Sequence, residues 1–286
     1  MEKELDLFGN EIIKDELLRD KFIEPPFSIL DTKSGNWQRR KKQWISKGIR
    51  SEVGRDSVVI NMGTSNVEKN STDYVSVFDP ALCEVLYHWF CKEGGNILDP
   101  FAGGSVRGIV ANYLNFNYYG IDIRQEQIDS NREQALDILP IENQPNYYVG
   151  DSNKILDENF NLEFDLVFSC PPYADLEVYS DLEGDISNKP YNEFVELYES
   201  IIKKSCDKLK IGGYACFVVG EVRDKKGNYY GFVPDTIQAF KKCGMNFYNE
   251  AILLNAIASA SMRANGNMKS QKLVKVHQNI LIFKKP

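Results

Sequence analysis

The spacing of hydrophobic and polar positions along the chain switches repeatedly between two periods. Short apolar runs rich in β-branched and aromatic residues predict strands, and apolar positions three or four residues apart predict amphipathic helices. After residue 80 the predicted helices are Ala81–Phe90, Ser105–Leu114, Arg124–Leu139, Tyr191–Leu209 and Phe232–Cys243. The predicted strands are Asn96–Asp99, Tyr118–Asp122, Asn146–Val149, Phe164–Ser169, Tyr214–Gly220, Phe247–Leu253 and Asn279–Phe283. This alternation predicts a doubly wound α/β fold, an open and mostly parallel sheet with helices on both faces.

The beginning of the chain lacks this alternation. Residues 11–22 and 36–47 predict two short helices, and the polar, turn-rich stretch 63–73 predicts a linker. We therefore predict a small helical appendage with a basic helix and a linker over residues 1–73. One α/β domain is predicted over residues 74–286.

Composition narrows the class of protein. The chain has 286 residues, 43% of them hydrophobic and 26% charged, which is typical of a soluble globular protein with a sizeable core. No apolar run approaches the ~20 residues of a membrane helix, and residues 1–20 lack a signal-peptide pattern. The six cysteines have no CxxC spacing, and the two histidines are far apart, so neither a zinc site nor a disulfide framework is predicted. We expect a reducing, cytoplasmic setting without membrane association.

The distribution of charge matters more than the net charge of −7. Residues 21–56 carry nine basic and four acidic groups, and residues 251–286 carry six basic groups and no acid. These two basic segments flank an acidic body and would attract a phosphate backbone. Chance clustering on solvated faces is the alternative.

The strongest local pattern is Asp-Pro-Phe-Ala-Gly-Gly-Ser at residues 99–105. It lies where the strand Asn96–Asp99 is predicted to turn into a helix. Glycine there allows a sharp turn and lets a ligand approach the main chain. An ordinary strand–helix turn would also use glycine, so this segment alone does not identify a function.

Two acidic residues follow the next predicted strands. Asp122 stands about 20 residues past the glycine turn, the spacing at which an acid binds ribose hydroxyls in doubly wound nucleotide-binding folds. Asp151, followed by Ser152, comes after the third strand, where a side chain can reach an adenine ring. A lone Asp after a strand is as often a helix cap, and both interpretations of Asp151 stay open.

The segment Ser-Cys-Pro-Pro-Tyr at residues 169–173 follows a hydrophobic strand. Two prolines fix the backbone and remove local N–H donors, so a rigid carbonyl can accept a hydrogen bond from an amino group. Tyr173 offers a flat face for stacking. Because the turn is predicted at the carboxyl edge of the sheet, where α/β folds bind ligands, a binding role is favoured over an ordinary strand-ending turn.

These segments together resemble one family. The order Asp-Pro-Phe-x-Gly-Gly, a strand-end Asp and x-Pro-Pro-Tyr is similar to the N6-adenine/N4-cytosine DNA methyltransferases, and most similar to stand-alone enzymes of phages and prophages. Residues 76–80 (Ser-Val-Phe-Asp-Pro) resemble that family's extra cofactor-contacting segment. Residues 275–283 resemble its closing strand. The resemblance covers roughly residues 74–285, and four segments in order are a specific signal.

The resemblance implies a Rossmann-like methyltransferase fold, S-adenosyl-L-methionine as cofactor and no metal. The cofactor-binding residues it implies are Phe78, Asp79, Asp99, Pro100, Phe101, Ala102, Gly103, Gly104, Ser105, Asp122, Ile123, Asp151 and Ser152. The implied partner is duplex DNA with the target base flipped out of the helix. The amino group of that base would bond the carbonyl of Pro171, within the Pro171-Pro172 turn, and the side chain of Cys170. Tyr173 would stack on the base.

One residue departs from the family pattern, which usually has Asp, Asn or Ser before Pro-Pro. A thiol at Cys170 is a weak acceptor, and it is interpreted first as a tolerated variant beside the main-chain acceptor. Alternatively, Cys170 is a nucleophile that activates a cytosine for C5 methylation, with Glu221 as the acid. A third alternative is an inactive subunit that binds S-adenosyl-L-methionine or DNA.

Two segments are predicted to meet the substrate. Residues 174–189 form a long polar stretch after the Pro-Pro turn, and residues 258–275 carry basic side chains near the same edge. The predicted nucleic-acid contacts are Arg39, Arg40, Lys41, Arg263, Lys269, Lys272 and Lys275. No segment has the usual size of a target-recognition domain, so we predict short or relaxed sequence specificity. An RNA or small-molecule methyltransferase would share the same cofactor half, and the two basic segments favour a polyanion over a small molecule. A non-enzymatic DNA-binding module would not explain the cofactor-binding segments.

Overall fold

The computed structural model describes residues 17–50, 78–158, 160–172, 184–255 and 260–286. Within them one sheet is covered by helices on both faces. Its strands are β1 (Ile29–Asp31), β2 (Asn96–Asp99), β3 (Asn117–Asp122), β4 (Asn146–Val149), β5 (Phe164–Ser169), β6 (Leu209–Val219), β7 (Asn246–Leu254) and β8 (His277–Lys284). The helices are α1 (Leu18–Phe22), α2 (Gly35–Ile45), α3 (Pro80–Phe90), α4 (Val106–Tyr113), α5 (Gln125–Ile138), α6 (Ser152–Glu158), α7 (Tyr191–Asp207), α8 (Phe232–Lys242) and α9 (Ala260–Lys269).

The strands lie in the order β1-β7-β8-β6-β5-β2-β3-β4. The neighbouring strands of this sheet are parallel, except that β8 runs antiparallel to both β6 and β7. This arrangement confirms the predicted fold class, a Rossmann-like, doubly wound sheet with one antiparallel C-terminal strand.

The strand order reverses between β2 and β5. From β2 the chain adds β3 and β4 outward on one side, then returns to β5 and adds β6 on the other side. Ile97 pairs with Leu166 and Leu98 with Val167 across this boundary. The residues that directly follow β2 and β5 therefore flank one crevice at the carboxyl edge of the sheet, the place where open α/β sheets bind ligands.

The central strands are buried on both faces, as expected when helices cover a parallel sheet. Every residue of β5 is buried. One core, which includes Tyr87 and Ile109, lies under α3, α4 and α5. The other, which includes Tyr198 and Phe240, lies under α7 and α8.

The N-terminal region packs onto this body. Trp37 and Trp44 of α2 are buried in the same core as α3, and β1 extends the sheet by pairing with β7. The Ser34 hydroxyl accepts the N–H of Trp37 and so begins α2, as an N-cap residue does. The predicted boundary at residue 73 lies outside the described residues and stays a prediction.

Three observed elements were not anticipated by the sequence pattern. Strand β1 has three residues and α6 has seven, which is too short for periodicity to identify. Helix α9 lies in a polar, glycine-containing stretch that reads as irregular. None of the helices within the described ranges is both long enough and apolar enough to span a bilayer.

Candidate active site

The glycine turn follows β2 and leads into α4. Its first residue, Asp99, accepts the N–H of Phe101 through Oδ1 at 3.1 Å. Gly103 has a φ of 49°, in the left-handed region that favours glycine. A Cβ on Gly104 would meet no heavy atom within 4 Å, so the turn has open space against its backbone.

The carboxylate of Asp99 lies beneath this turn and joins four elements. Its Oδ2 accepts hydrogen bonds from Arg107 of α4 and from the Tyr118 hydroxyl of β3 at 2.7 Å. Its Oδ1 also accepts the hydroxyl of Ser169, the last residue of β5. Asp99 has no exposed surface. Asp99 was predicted to contact the cofactor. In the structure its carboxylate links the two sides of the crevice through these hydrogen bonds.

Arg107 is the main residue that sequence reasoning missed. Its guanidinium bonds Asp99, donates to the carbonyls of Phe101 and Ala102, and lies 4.7 Å from the ring centre of Phe78. Burial alone would lower the pKa of Arg107, but the charge and hydrogen bond of Asp99, together with Tyr118 and Cys170, outweigh burial and raise it. An arginine inside the apolar helix segment 106–111 was the available signal, because a buried charge needs a partner.

The other residues of the turn are held by neighbours. The Ser105 hydroxyl donates to Gln134 at 2.8 Å, and the Ala102 N–H donates to the Ile121 carbonyl at 2.9 Å. The Pro100 carbonyl accepts the Ser152 hydroxyl at 2.6 Å. The predicted cofactor residues Ser105 and Ser152 therefore use their hydroxyls within the protein.

Asp122 ends β3 and faces the glycine turn. Its Oδ2 accepts the N–H of Gly103 and its Oδ1 the N–H of Arg124, both at 2.9 Å. Burial raises the pKa of Asp122, although these hydrogen bonds and the charge of Arg124 oppose the rise. Because a carboxylate has about four lone-pair positions, both oxygens can accept a further hydroxyl donor.

Asp151 stands at the start of α6. Its Oδ1 accepts the N–H of Asn153 at 2.8 Å, so the helix-cap interpretation of this residue holds. A Cβ on Gly184 would lie 3.5 Å from Oδ2 of Asp151 and 3.4 Å from Cδ1 of Ile123. Asp151 and Ile123 thus lie together beside Gly184, and their contact with an adenine stays a prediction.

The segment before α3 is built into the N-terminal region. Asp79 caps α3 by accepting the N–H of Ala81 at 3.0 Å, and its other oxygen accepts Trp37 Nε1 and Lys41 Nζ, each at 3.1 Å. Phe78 packs edge-on against Phe168, with ring centres 5.8 Å apart. Both side chains fix this segment against the core, and their cofactor contacts stay predictions.

The Cys-Pro-Pro turn follows β5 directly. Cys170 is half-buried and packs against the core on the α3 side, and Pro171 is buried. Ser169 anchors the turn through Asp99, 2.5 Å from its hydroxyl oxygen. Tyr173, predicted to stack on the base, lies outside the described residues, as does most of the predicted substrate loop.

Glu221 follows β6 at the same edge. Its Oε2 accepts the N–H of Phe232 at 3.2 Å and its Oε1 the N–H of Val233 at 3.1 Å. The carboxylate therefore caps the N-terminus of α8. Helix N-termini attract negative charge, so this carboxylate stabilises the start of α8.

The basic residues predicted on α2 lie in two different environments, some paired with carboxylates of the α3 segment and one exposed. Arg40 makes two hydrogen bonds to Glu84, which also accepts Trp44 Nε1 at 2.7 Å. Lys41 bonds Asp79, whereas Arg39 is exposed and bonds Asn36 of its own helix. Arg40 and Lys41 fasten α2 to α3, and nucleic-acid contact of the cluster stays a prediction.

The C-terminal basic residues lie on and after α9. Arg263 and Lys269 are exposed on the helix, and Lys272 is partly buried. Burial lowers the pKa of the half-buried Lys275, while the nearby charge of Glu221 opposes this. Lys275 precedes β8, whose first residues lie at the carboxyl edge of β6, so this segment reaches the predicted edge.

A family model described as DNA methylase matches residues 36–133. The match runs from α2 into α5 and includes the glycine turn and Asp122. It confirms the predicted resemblance to N6-adenine/N4-cytosine DNA methyltransferases, and with it S-adenosyl-L-methionine as the cofactor that this resemblance implies. Asp151, Cys170 and β8 lie beyond the matched segment.

Similarity to individual proteins extends over parts of the chain. The release factor glutamine methyltransferase of Fusobacterium nucleatum is 33% identical over 137 residues, 45% of this chain and 38% of that protein. The structure of TrmN from Thermus thermophilus has a TM-score of 0.49 at 14% identity, over 73% of this chain and 49% of its own. That of magnesium protoporphyrin IX methyltransferase (ChlM) from Synechocystis PCC 6803 with bound SAM has a TM-score of 0.45 at 12% identity, over 72% and 79%. The chain thus spans less than half the length of the first two.

Proposed function

We propose that this chain, whose residues 36–133 match the DNA methylase family, is an S-adenosyl-L-methionine-dependent methyltransferase that acts on the exocyclic amino group of adenine or cytosine in DNA. One observation carries the proposal. The glycine turn after β2 and the Cys-Pro-Pro turn after β5 flank the crevice where strand order reverses, and both are tied to the Asp99 carboxylate. The proposed partner is duplex DNA with the target base flipped out, because base pairing otherwise occupies the amino group.

The cofactor half of the crevice has the open space and the hydrogen-bond acceptors that an adenosyl ligand requires. Gly103 has the positive φ that favours glycine, and the backbone at Gly104 faces open space, as close approach of a ligand requires. Asp122 has acceptor capacity for ribose hydroxyls, and we assign the adenine to the side of Asp151 and Ile123, which lie together beside Gly184. When bound, S-adenosyl-L-methionine supplies a methyl group activated by a sulfonium charge.

The substrate half orients the amino group. Neither proline of the turn has an N–H that could compete for the Pro171 carbonyl, which is therefore assigned as the acceptor of the amino group of the base. That hydrogen bond fixes the direction of the nitrogen lone pair. The nitrogen would form its bond to the methyl carbon while the carbon–sulfur bond breaks, with S-adenosyl-L-homocysteine as the leaving group, and would release one proton to solvent. Fixed positioning of the two reacting atoms supplies most of the rate.

We assign Cys170 the role of a spectator beside this carbonyl. A thiol accepts hydrogen bonds weakly, and Cys170 packs against apolar residues of the core. The C5 alternative needs Glu221 as an acid, and both oxygens of Glu221 already cap α8. The geometry at Glu221 therefore favours amino methylation over C5 methylation.

The test is incubation with unmethylated duplex DNA and S-adenosyl-L-methionine, followed by nucleoside mass spectrometry. Cys170→Ala is compared with Cys243→Ala, a control that removes a half-buried thiol at the far end of α8. We expect N6-methyladenine or N4-methylcytosine from the wild type and from both variants.

Other outcomes would redirect the assignment. If 5-methylcytosine forms and is lost only in Cys170→Ala, Cys170 is a nucleophile and the amino-group mechanism is wrong. If S-adenosyl-L-methionine binds but DNA stays unmethylated while RNA of the same sequence is modified, the substrate is RNA. Binding without modification of either would indicate an inactive subunit.

A further inference from the structure

A hairpin that the proposed reaction does not use follows Glu221. Arg223 and Tyr229 form an antiparallel bridge, and the Tyr230 N–H donates to the Val222 carbonyl at 3.0 Å. The Asp224 N–H closes the ladder onto the Asn228 carbonyl at 2.8 Å. The hairpin is therefore an ordered projection over residues 222–230.

The tip of this hairpin presents positive charge. Its single acid, Asp224, is engaged inside the turn, where its Oδ1 accepts the Asn228 N–H at 2.8 Å. Desolvation opposes ionisation of Asp224, but hydrogen bonds from turn N–H groups outweigh it and lower the pKa. Lys225 and Lys226, at the tip, are both exposed.

An aromatic ring lies beside these lysines. The guanidinium carbon of Arg223 is 3.9 Å from the ring centre of Tyr229, and Nη1 of Arg223 donates to the Gly227 carbonyl at 2.7 Å. Tyr229 nevertheless keeps 48% of its surface exposed. Arg223 thus holds an accessible ring in one orientation, which lowers the entropy lost when a ligand stacks on it.

The second basic segment of the chain packs against the hairpin. Gly227 has a φ of 93°, and a Cβ there would lie 2.1 Å from Nζ of Lys272. Residues 222–231 and 260–276 together contain seven basic groups and one acid, in a chain whose net charge is −7. The seven are Arg223, Lys225, Lys226, Arg263, Lys269, Lys272 and Lys275.

This basic surface lies at the edge that carries the Cys-Pro-Pro turn. Ser169 of β5 is registered with Phe217 of β6, and Val219 near the end of β6 pairs with Asn279 near the start of β8. The hairpin after β6 and the segment before β8 therefore project from the same edge as Cys170. A polyanion bound there would reach the proposed reaction site.

We propose that the hairpin 222–230 is the arm that binds DNA: Lys225 and Lys226 contact backbone phosphates, and Tyr229 stacks on a base beside the reacting nucleotide. The inference rests on the proposed function and assigns the surface that holds its partner. Phosphate contacts supply most of the affinity of such surfaces, and exposed aromatic rings bind unpaired bases by stacking.

The test measures binding of a fluorescent DNA duplex by anisotropy across a salt series. Lys225→Ala/Lys226→Ala is compared with Lys241→Ala/Lys242→Ala, which removes the same charge from a tandem pair at the C-terminal end of α8, on the opposite edge. We expect the hairpin variant to bind about tenfold more weakly and to lower the slope of log Kd against log salt by about two, one per lost phosphate contact. The α8 variant should match the wild type.

Tyr229 is tested separately, by activity. Tyr229→Ala should raise the KM for DNA but leave the KM for S-adenosyl-L-methionine unchanged, whereas Tyr229→Phe, which keeps the ring, should behave as the wild type.

Two binding results would overturn the hairpin assignment: equal salt slopes for the two lysine variants, or no binding of the duplex by the wild type. Tighter binding of single-stranded RNA of the same sequence would make RNA the partner and overturn the DNA assignment. The binding readout is independent of methylation. A wild type with hairpin-dependent binding that leaves DNA unmethylated would refute the proposed function alone, and one that methylates DNA with hairpin-independent binding would refute this inference alone.

Discussion

Replacing Arg107 by methionine would leave the Asp99 carboxylate buried without its counter-charge. The two side chains are 6% and 0% exposed, and Nε of Arg107 lies 2.5 Å from Oδ2 of Asp99. Methionine fills similar space but donates no hydrogen bond. The Phe101 and Ala102 carbonyls of the glycine turn would lose their donor as well.

The expected cost follows from this burial. Breaking a buried ion pair by removing one partner costs about 3–5 kcal/mol, because the remaining charge stays desolvated. At roughly 2–4 °C per kcal/mol, Arg107→Met should lower Tm by roughly 6–20 °C. Since the glycine turn loses its support, the affinity for S-adenosyl-L-methionine should fall as well.

The assay is urea unfolding followed by circular dichroism, with calorimetric titration of S-adenosyl-L-methionine. Lys203→Met is the matched control, since Lys203 pairs with Asp207 at 2.6 Å but both side chains are at least 60% exposed. Exposed pairs contribute about 0–1 kcal/mol, so this variant should unfold almost as the wild type does.

The double variant Asp99→Asn/Arg107→Met separates charge from packing. Removing both charges should recover part of the lost stability, because no uncompensated ion remains. The reasoning is refuted if Arg107→Met costs no more than Lys203→Met, or if the double variant is destabilised by the sum of the two single changes.

Two further predictions concern other carboxylates. A free Asp has a pKa of about 3.9. Burial raises the pKa of Asp122, so Asp122 takes up its proton at a higher pH than a free Asp does. As pH rises from the pKa of a free Asp to the raised pKa of Asp122, the stability contribution of this group therefore falls. S-adenosyl-L-methionine binding needs the ionised carboxylate as acceptor, so it should weaken as pH falls through the same range. Titrations of Asp122→Asn should show weaker binding without this pH dependence, and an unchanged profile would argue against ribose contact. Glu84→Ala removes the acceptor of both Arg40 and Trp44 and should lower the free energy of unfolding by about 2–3 kcal/mol in urea melts. A loss below about 0.5 kcal/mol, typical of surface substitutions, would show that the Glu84 hydrogen bonds do not hold α2 in place.

The order of helices and strands after residue 80 could be predicted because each central segment has one dominant hydrophobic periodicity. Helices and strands of the α/β region occur where the pattern predicts them, apart from the short α6 and the polar α9. Periodicity reports which face of an element is apolar, and both faces of β5 are buried. It carries no information on an edge strand as short as β1, whose residues pair with β7 more than 200 positions away.

The sequence predicted the residue types at the candidate site, but it predicted less well which contacts each residue makes. Asp99 and Asp79 stand in the expected segments, yet both carboxylates accept hydrogen bonds from side chains that pattern alone does not connect to them. Arg107 and the hairpin 222–230 carry no recognisable motif. Their roles are visible only in the folded structure, where Arg107 contacts Asp99 and the hairpin contacts Lys272.

By itself the sequence determined the α/β alternation, the glycine turn after β2 and the Cys-Pro-Pro turn after β5, because these depend on local backbone preferences and on one-dimensional periodicity. Only the tertiary structure decided which buried charges neutralise each other, which lysines stay exposed, and that Glu221 caps α8. The physical reason is that a charged or polar side chain has several acceptable partners in sequence. The partner it takes is the one that folding leaves within hydrogen-bond distance once water is removed.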